Sequence, residues 1–267
     1  MQIGVAGCGR MGAPMLRALF ESGFAAQGFD VKPATEFRDL PVTNDIDAFC
    51  QGLTHLITVV RDQDETEAVL FTDQKVIDHA DGLSHIIISS TLSPRYVGHL
   101  RDRVPQNIQL IDAPMSGAQI AAQERRLSFM LGCTTEQLDA LHPVFMAMGK
   151  TLHHMGSFGA GMQAKVLNNL LAAGSTAMTR QVLDWAGQAG LDQQNFLDLV
   201  ATSSGQNWLA SGFETIEFAK DGYATDNTIG ILVKDIEAAL DALPEGADIA
   251  LPRAVQHFIR HLKPYKA

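Results

Sequence analysis

The chain has 267 residues, 46% of them apolar and 19% charged, enough to bury the core of one or two domains. Disordered and fibrous classes are excluded on that composition. Twenty lysines and arginines against 30 aspartates and glutamates leave a net charge of −10, which argues against a general nucleic-acid binder because nothing would neutralise a row of phosphates. Cys8, Cys50 and Cys133 are too scattered for a disulfide framework or a zinc site, so a reducing cytoplasm is expected. Met1 leads straight into the strand-like run Ile3-Gly4-Val5-Ala6, with no signal-peptide pattern. No apolar run approaches the roughly 20 residues that a membrane-spanning helix needs. The expectation is a soluble cytoplasmic protein with neither membrane nor nucleic acid as partner.

Short β-rich runs are predicted at 2–6, 25–30, 54–60, 84–89, 108–111, 127–131 and 150–154. Helical stretches at 13–22, 64–71, 93–103 and 135–146 lie between several of them. This alternation reads as an α/β fold, a mostly parallel sheet with helices on both faces. The nearly all-apolar run His85-Ile86-Ile87-Ile88 suits a strand covered on both sides. Near residue 160 the pattern changes, and no clear strand follows. A long helix is predicted from Met162 to about 189, with apolar residues at 162, 166 and 170, at 167, 171, 174 and 178, and then at Val182, Ala186 and Ala189. Gly190 suits its C-terminal cap and Asp192 can cap the next helix. At about 1.5 Å per residue it would be roughly 40 Å long, an axle between two domains. The expected domains are 1–160, binding a dinucleotide, and 161–267, all-helical.

The first strand runs into Gly7-Cys8-Gly9-Arg10-Met11-Gly12, a G-x-G-x-x-G that opens a helix. Gly7 permits the tight turn, Gly9 lets backbone approach a pyrophosphate, and Gly12 lets helix and strand pack closely. Unpaired N–H groups at the helix start would hold the phosphates. The second strand ends at Asp30, 18 residues after Gly12, where the dinucleotide fingerprint puts the carboxylate that binds the ribose. A carboxylate there attracts a 2′-hydroxyl and repels a 2′-phosphate, favouring NAD over NADP, with NADP still possible: Lys32, two residues on, could soften that preference or be an exposed loop lysine.

Two more segments have unusual character. Asp112-Ala113-Pro114-Met115-Ser116-Gly117-Ala118 follows an apolar strand, where open α/β sheets bind ligands. Ser116 and exposed N–H groups there could grip a carboxylate, and an ordinary turn is the plain alternative. In the long helix, Lys165 and Asn169 are four apart and share a face, with Asn168 beside them. Polar groups in an apolar helix must be paired or line a cavity. Desolvation favours a neutral amine, which suits general acid–base work. A satisfied polar cluster is the other reading.

These residues resemble the β-hydroxyacid dehydrogenases, a family that includes 3-hydroxyisobutyrate and tartronate semialdehyde dehydrogenases. Five motifs over most of the chain carry the resemblance. Gly7 to Met15 is similar to the cofactor signature, Ser90-Thr91-Leu92-Ser93-Pro94 to the segment near the nicotinamide, and Asp112 to Gly117 to the substrate loop. Gly159 to Asn169 resembles the catalytic helix, and Lys234-Asp235 the late Lys-Asp pair. The resemblance implies a Rossmann domain followed by an all-helical domain, and a dehydrogenase of a short-chain 3-hydroxy acid. It implies Lys165 as general acid/base and Ser116, Gly117, Ala118 and Asn169 around the substrate. Gly7, Gly9, Arg10, Met11, Gly12, Asp30, Val60, Arg61, Thr91 and Lys234 would surround the cofactor. A homodimer or homotetramer is expected from the long apolar helix.

The chain departs from the family twice: Ala118 stands where a second glycine is usual, and Val60-Arg61 replaces Leu-Pro. On a helical wheel Lys234 lies off the apolar stripe of its segment, so a solvated lysine is the alternative. Rival readings are a reductase of an imine or of a sulfonated or phosphorylated hydroxy acid, and a non-catalytic NAD-binding module. Lys165 argues against the imine reductases, which usually lack it. His153-His154 and His257/His261 come without further ligands, so no metal is expected. Cys8 reads as a small filler and Met162 as ordinary apolar packing.

Overall fold

The computed structural model describes residues 1–37 and 39–266. The strands are β1 (Gln2–Ala6), β2 (Ala25–Phe29), β3 (Val42–Thr43), β4 (His55–Thr58), β5 (His85–Ile88), β6 (Gln109–Asp112), β7 (Met115–Ser116), β8 (Leu127–Gly132) and β9 (Gly149–Gly156). The helices of the first part are α1 (Gly12–Glu21), α2 (Ile46–Cys50), α3 (Gln63–Glu67), α4 (Val76–His79), α5 (Pro94–Arg103), α6 (Ala118–Gln123) and α7 (Thr135–Met148). Then come α8 (Ala160–Gln188), α9 (Gln193–Ala201), α10 (Trp208–Ser211), α11 (Thr228–Asp241) and α12 (Ala250–Arg260). The chain divides into two compact units, Met1–Lys165 and Val166–Ala267.

In the first unit the strands lie in the order β3-β2-β1-β4-β5-β6-β8-β7, with β9 also against β8. β3 to β6 are parallel, in the 3-2-1-4-5-6 order of dinucleotide-binding sheets. β8 then runs antiparallel to β6. Side chains alternate between faces, and both faces are covered. Ile3, Val5, Ile57, Ile87 and Ile111 share a core with Met15 and Leu19 of α1 and Val144 and Phe145 of α7. Leu56, Ile86, Ile88 and Leu110 share the other with Phe49 of α2 and Val97 and Leu100 of α5. Burial on both sides is why these strands read as apolar runs rather than alternations. The strand order reverses between β1 and β4, and at such a switch point open sheets bind ligands beyond their carboxyl ends.

The second unit contains helices and, among its described residues, no strand. Ala173 and Ala177 of α8 pack with Ile229, Leu232, Val233 and Ile236 of α11 and Ile259 of α12. Leu183 packs with Leu197 of α9 and Leu209 of α10. The predicted stripe along α8 is buried at Met162 and Val166, but its 167-171-178 branch is not: Leu171 is 75% exposed, and Leu167, Met178 and Trp185 are also exposed. The helix is apolar on two faces, and this chain covers one of them.

Candidate functional site in the dinucleotide-binding unit and its helix

The turn after β1 is built around its glycines. Gly7 has φ +92°, and a Cβ there would come within 2.5 Å of the Val59 carbonyl. A Cβ at Gly12 would lie 1.8 Å from the Gly7 oxygen, so α1 can start this close to β1 only with glycine. Gly9 is different: a Cβ there would meet no protein atom within 4 Å. Protein packing does not demand this glycine, whereas close approach of a pyrophosphate does. The cradle therefore fits a dinucleotide.

Asp30 sits at the end of β2, where its carboxylate accepts the Cys8 N–H at 2.8 Å and the Lys32 N–H at 3.1 Å. This ties the glycine turn to the neighbouring strand end and leaves further lone pairs for hydroxyl donors. Burial and the Asp30 charge push the Cys8 thiol up to about 12, and its Sγ–H donates to the Val5 carbonyl, so it is an inert filler. The Lys32 amine lies 4.0 Å from Glu36, and Arg10 reaches Gln119 at 3.4 Å. Met11 is half-buried as it enters α1.

Beyond β4, the Val60 N–H donates to Ser90 Oγ at 2.9 Å, joining the loops after β4 and β5. Arg61 is exposed and pairs with Glu65: its N–H donates to that carboxylate at 2.8 Å and its Nε lies 3.9 Å away. Thr91 is half-buried in the same stretch, which ends where Ser93 caps α5 and Pro94 opens it. The Leu92 N–H donates to Met162 Sδ at 3.3 Å, so the methionine does more than fill space.

Asp112 ends β6. It is fully buried, and its two oxygens accept the N–H groups of Gly159, just before α8, at 2.6 Å and of Met162, in its first turn, at 2.5 Å. Ser116 follows in β7 and is half-buried, while Gly117 and Ala118 are exposed. Lys165, one turn after Met162, is only 7% exposed. Ala118 has φ +52°, a left-handed backbone that disfavours a residue with a Cβ. That is the physical reason a glycine suits this position. Ala118→Gly is expected to add about 0.5–1 kcal/mol, because relief of the strain outweighs the extra freedom of the unfolded chain. Calorimetry should show a rise in Tm, and an unchanged or lower Tm would refute the strain.

In the second unit Asn169 donates through Nδ2 to Asp235 at 2.5 Å, and the Lys234 amine lies 3.1 Å from the other Asp235 oxygen. Lys234 does lie off the buried stripe of α11, yet the ion pair keeps it partly covered. From the residues alone, Asp112 and Asp235 had no role of their own and Met162 was expected only as apolar packing. The polar residues each lie in a motif singled out for a neighbour, which was the available signal.

Residues 2–156 match the sequence profile of the NAD binding domain of 6-phosphogluconate dehydrogenase, and residues 159–263 that of the NAD-binding domain of NADP-dependent 3-hydroxyisobutyrate dehydrogenase. The chain belongs to the β-hydroxyacid dehydrogenase family. Among similar members, the mitochondrial 3-hydroxyisobutyrate dehydrogenase of Drosophila melanogaster is 28% identical over 248 residues, 89% of this chain and 76% of that one. The NAD-dependent L-serine dehydrogenase of Pseudomonas aeruginosa is 29% identical over 212 residues, 78% of this chain and 71% of that one. Mycobacterium tuberculosis 3-hydroxyisobutyrate dehydrogenase with L-serine superposes with a TM-score of 0.81 at 24% identity, covering 98% and 97% of the two chains, a likeness of fold. As a member of this family the protein is an NAD-binding oxidoreductase of the hydroxy acid dehydrogenase class. Among the described residues, no helix is long and apolar enough to cross a membrane.

Proposed function

We propose that this β-hydroxyacid dehydrogenase oxidises and re-forms a short-chain 3-hydroxy acid, with Lys165 as the general acid/base. The observation that carries this reading is a lysine only 7% exposed, one helical turn past Met162, whose sulfur holds the N–H of the 90–94 loop. A buried amine on an anchored turn is suited to exchanging a proton with a substrate hydroxyl.

NAD, when bound, supplies the hydride acceptor. Gly7, Gly9, Arg10, Met11 and Gly12 would hold its phosphates and Asp30 its ribose, with Val60, Arg61, Thr91 and Lys234 as the remaining contacts. Ser116 and the N–H groups of Gly117 and Ala118 would hold the substrate carboxylate, and Asn169 would orient the hydroxyl. In oxidation, neutral Lys165 would take the hydroxyl proton at Nζ as the carbinol C–H bond breaks and its hydrogen leaves with the electron pair as hydride. In reduction the ammonium returns that proton and stabilises the growing negative charge on oxygen.

The test is nicotinamide absorbance with a panel of 3-hydroxyisobutyrate, L-serine, L-threonate and phosphorylated and sulfonated analogues, together with imines in the reducing direction. Turnover of an unphosphorylated 3-hydroxy acid supports the reading. NAD binding without turnover of any of them refutes it in favour of a non-catalytic binder.

The same reading makes Asp30 the cofactor selector. Asp30→Ser removes the charge that repels a 2′-phosphate, and the NADP-to-NAD ratio of kcat/KM should rise about 10- to 100-fold, the worth of one charged hydrogen bond. An unchanged ratio would remove that assignment. Assembly as a homodimer or homotetramer is also proposed, because Leu167, Leu171, Met178 and Trp185 leave an apolar stripe of α8 exposed. Sedimentation showing only single chains would refute it.

A further inference from the structure

The Asp112 carboxylate lies where three chain segments meet. One oxygen accepts the Gly159 N–H at 2.6 Å and the other the Met162 N–H at 2.5 Å. Gly159 immediately precedes the helix and Met162 is its third residue, so these are two of the N–H groups that a helix start leaves without intrahelical partners. The same Met162 accepts the Leu92 N–H on its sulfur. Four residues beyond Asp112 the chain reaches Ser116. One side chain therefore joins the loop leading to Ser116, the helix bearing Lys165 and, through Met162, the loop containing Thr91.

The surroundings are shaped for that carboxylate. A Cβ on Gly132 would sit 1.9 Å from Asp112 Oδ1. A Cβ on Gly161 would sit 3.0 Å from Oδ2 and 2.3 Å from the Met130 carbonyl. Burial pushes the carboxyl up to about 6, and the N–H groups of Gly159 and Met162 pull it back down. Its ordinary value is 3.8, so between those two values the folded chain holds the proton more readily than the unfolded one. Stability accordingly falls as pH rises through that window, and at neutral pH a buried charge is kept at a cost. The titratable neighbour, the Cys133 thiol, is pushed up to about 11 by burial and by Asp112, and it stays neutral. A group that costs stability and grips one particular helical turn is better explained by what it positions than by packing.

We propose that Asp112 is a positioning residue for the reaction: its two oxygens fix the first turn of α8, and so the seat of the Lys165 amine. Lys165 lies three residues after Met162, on the adjoining turn of the same face. An asparagine has the size of the aspartate but one acceptor oxygen in place of two, so either Gly159 or Met162 would lose its partner. The turn would loosen and the amine would drift from the hydroxyl it serves. The proposal rests on the assignment of Lys165 as acid/base.

Asp112→Asn, Gly132→Ala and Lys165→Ala are each compared with the wild-type protein, using the hydroxy acid it turns over fastest and that acid deuterated at the carbinol carbon. For Asp112→Asn, kcat should fall about 10- to 100-fold, the cost of an ångström-scale misplacement, while KM and the NAD Kd stay within about 3-fold. The deuterium isotope effect on kcat should rise, because a misplaced amine slows the chemical step itself. Gly132→Ala presses on the same oxygen and should reproduce the pattern, which keeps the proposal open to test should the first variant fail to fold. In the Asp112→Asn/Gly132→Ala double variant the losses should not add. Folded variants with kcat within 2-fold of wild type would overturn the proposal, as would a loss of active fraction with an unchanged isotope effect. If Lys165→Ala itself turns over normally, the acid/base assignment fails. If Lys165→Ala is inactive while Asp112→Asn is normal, only the positioning role fails.

Discussion

Lys165→Ala should lose about 10²- to 10⁴-fold in kcat while binding NAD nearly as wild type does, the range that general acid–base help contributes. Both halves follow from its position. The amine sits in the first turns of α8, whereas the glycine turn and Asp30 lie at the ends of β1 and β2. If Lys165 is the acid/base proposed above, removing the amine would leave the hydroxyl proton with no acceptor when hydride departs, and the reverse reaction without a proton donor. Lys165→Arg should restore little, because a guanidinium stays protonated and cannot take a proton. Stopped-flow turnover, with NAD binding followed by fluorescence, separates the two effects. Normal turnover in Lys165→Ala would sink the assignment, and weak NAD binding with normal kcat would make the lysine a cofactor ligand instead.

The largest effect on stability is expected at Arg180. It lies on α8 within the second unit and is 2% exposed. Its Nη1 donates to the carbonyls of Ala219 at 2.9 Å and Asp221 at 2.8 Å, and its Nη2 to that of Lys263 at 2.6 Å. The guanidinium also faces the Tyr265 ring, 5.4 Å from its centre. The terminal segment is laid against the 220–223 turn by two backbone bonds, Tyr223 N–H to Leu262 and Tyr265 N–H to Lys220, each 2.8 Å. Arg180 fastens that seam to the long helix. Arg180→Leu preserves bulk but strands three carbonyls, and should cost about 3–5 kcal/mol. Arg180→Lys should recover only part, since a point charge cannot span three acceptors in a fork. Thermal unfolding would show a fall of about 10 °C or more for a unit of this size. A shift under 2 °C would mean water replaces the guanidinium without loss.

The two effects differ in kind. On the proposed reading, loss of Lys165 should remove chemistry rather than fold, whereas loss of Arg180 should weaken the helical unit and reach activity only through the folded fraction. Circular dichroism on both variants distinguishes them.

Much of the architecture was legible in the residues alone. The seven predicted β-rich runs all correspond to strands; in β4 and β5 this is because a strand buried on both faces is continuously apolar and such runs stand out, whereas β9 is largely exposed. The long helix, expected from Met162 to about 189, spans Ala160–Gln188, because a 3.6-residue apolar period over eight turns admits no other reading. Gly7 and Gly12 were visible because the tight turn and the close start of α1 leave no room for a Cβ, and Asp30 because it stands at the fingerprint spacing after them. β3 and β7 went unseen, since two residues carry no period. The short helices α2, α4 and α6 went unseen for the same reason. Tertiary structure alone decided the rest: the strand order, the reversal of β8, the bare Leu171 face of α8, the Asp112 grip on Gly159 and Met162, and the three carbonyls held by Arg180. Patterns along a chain report which positions must be apolar or flexible. They do not report which distant N–H or carbonyl a buried charge will meet, because that partner lies tens of residues away and is chosen only when the layers close.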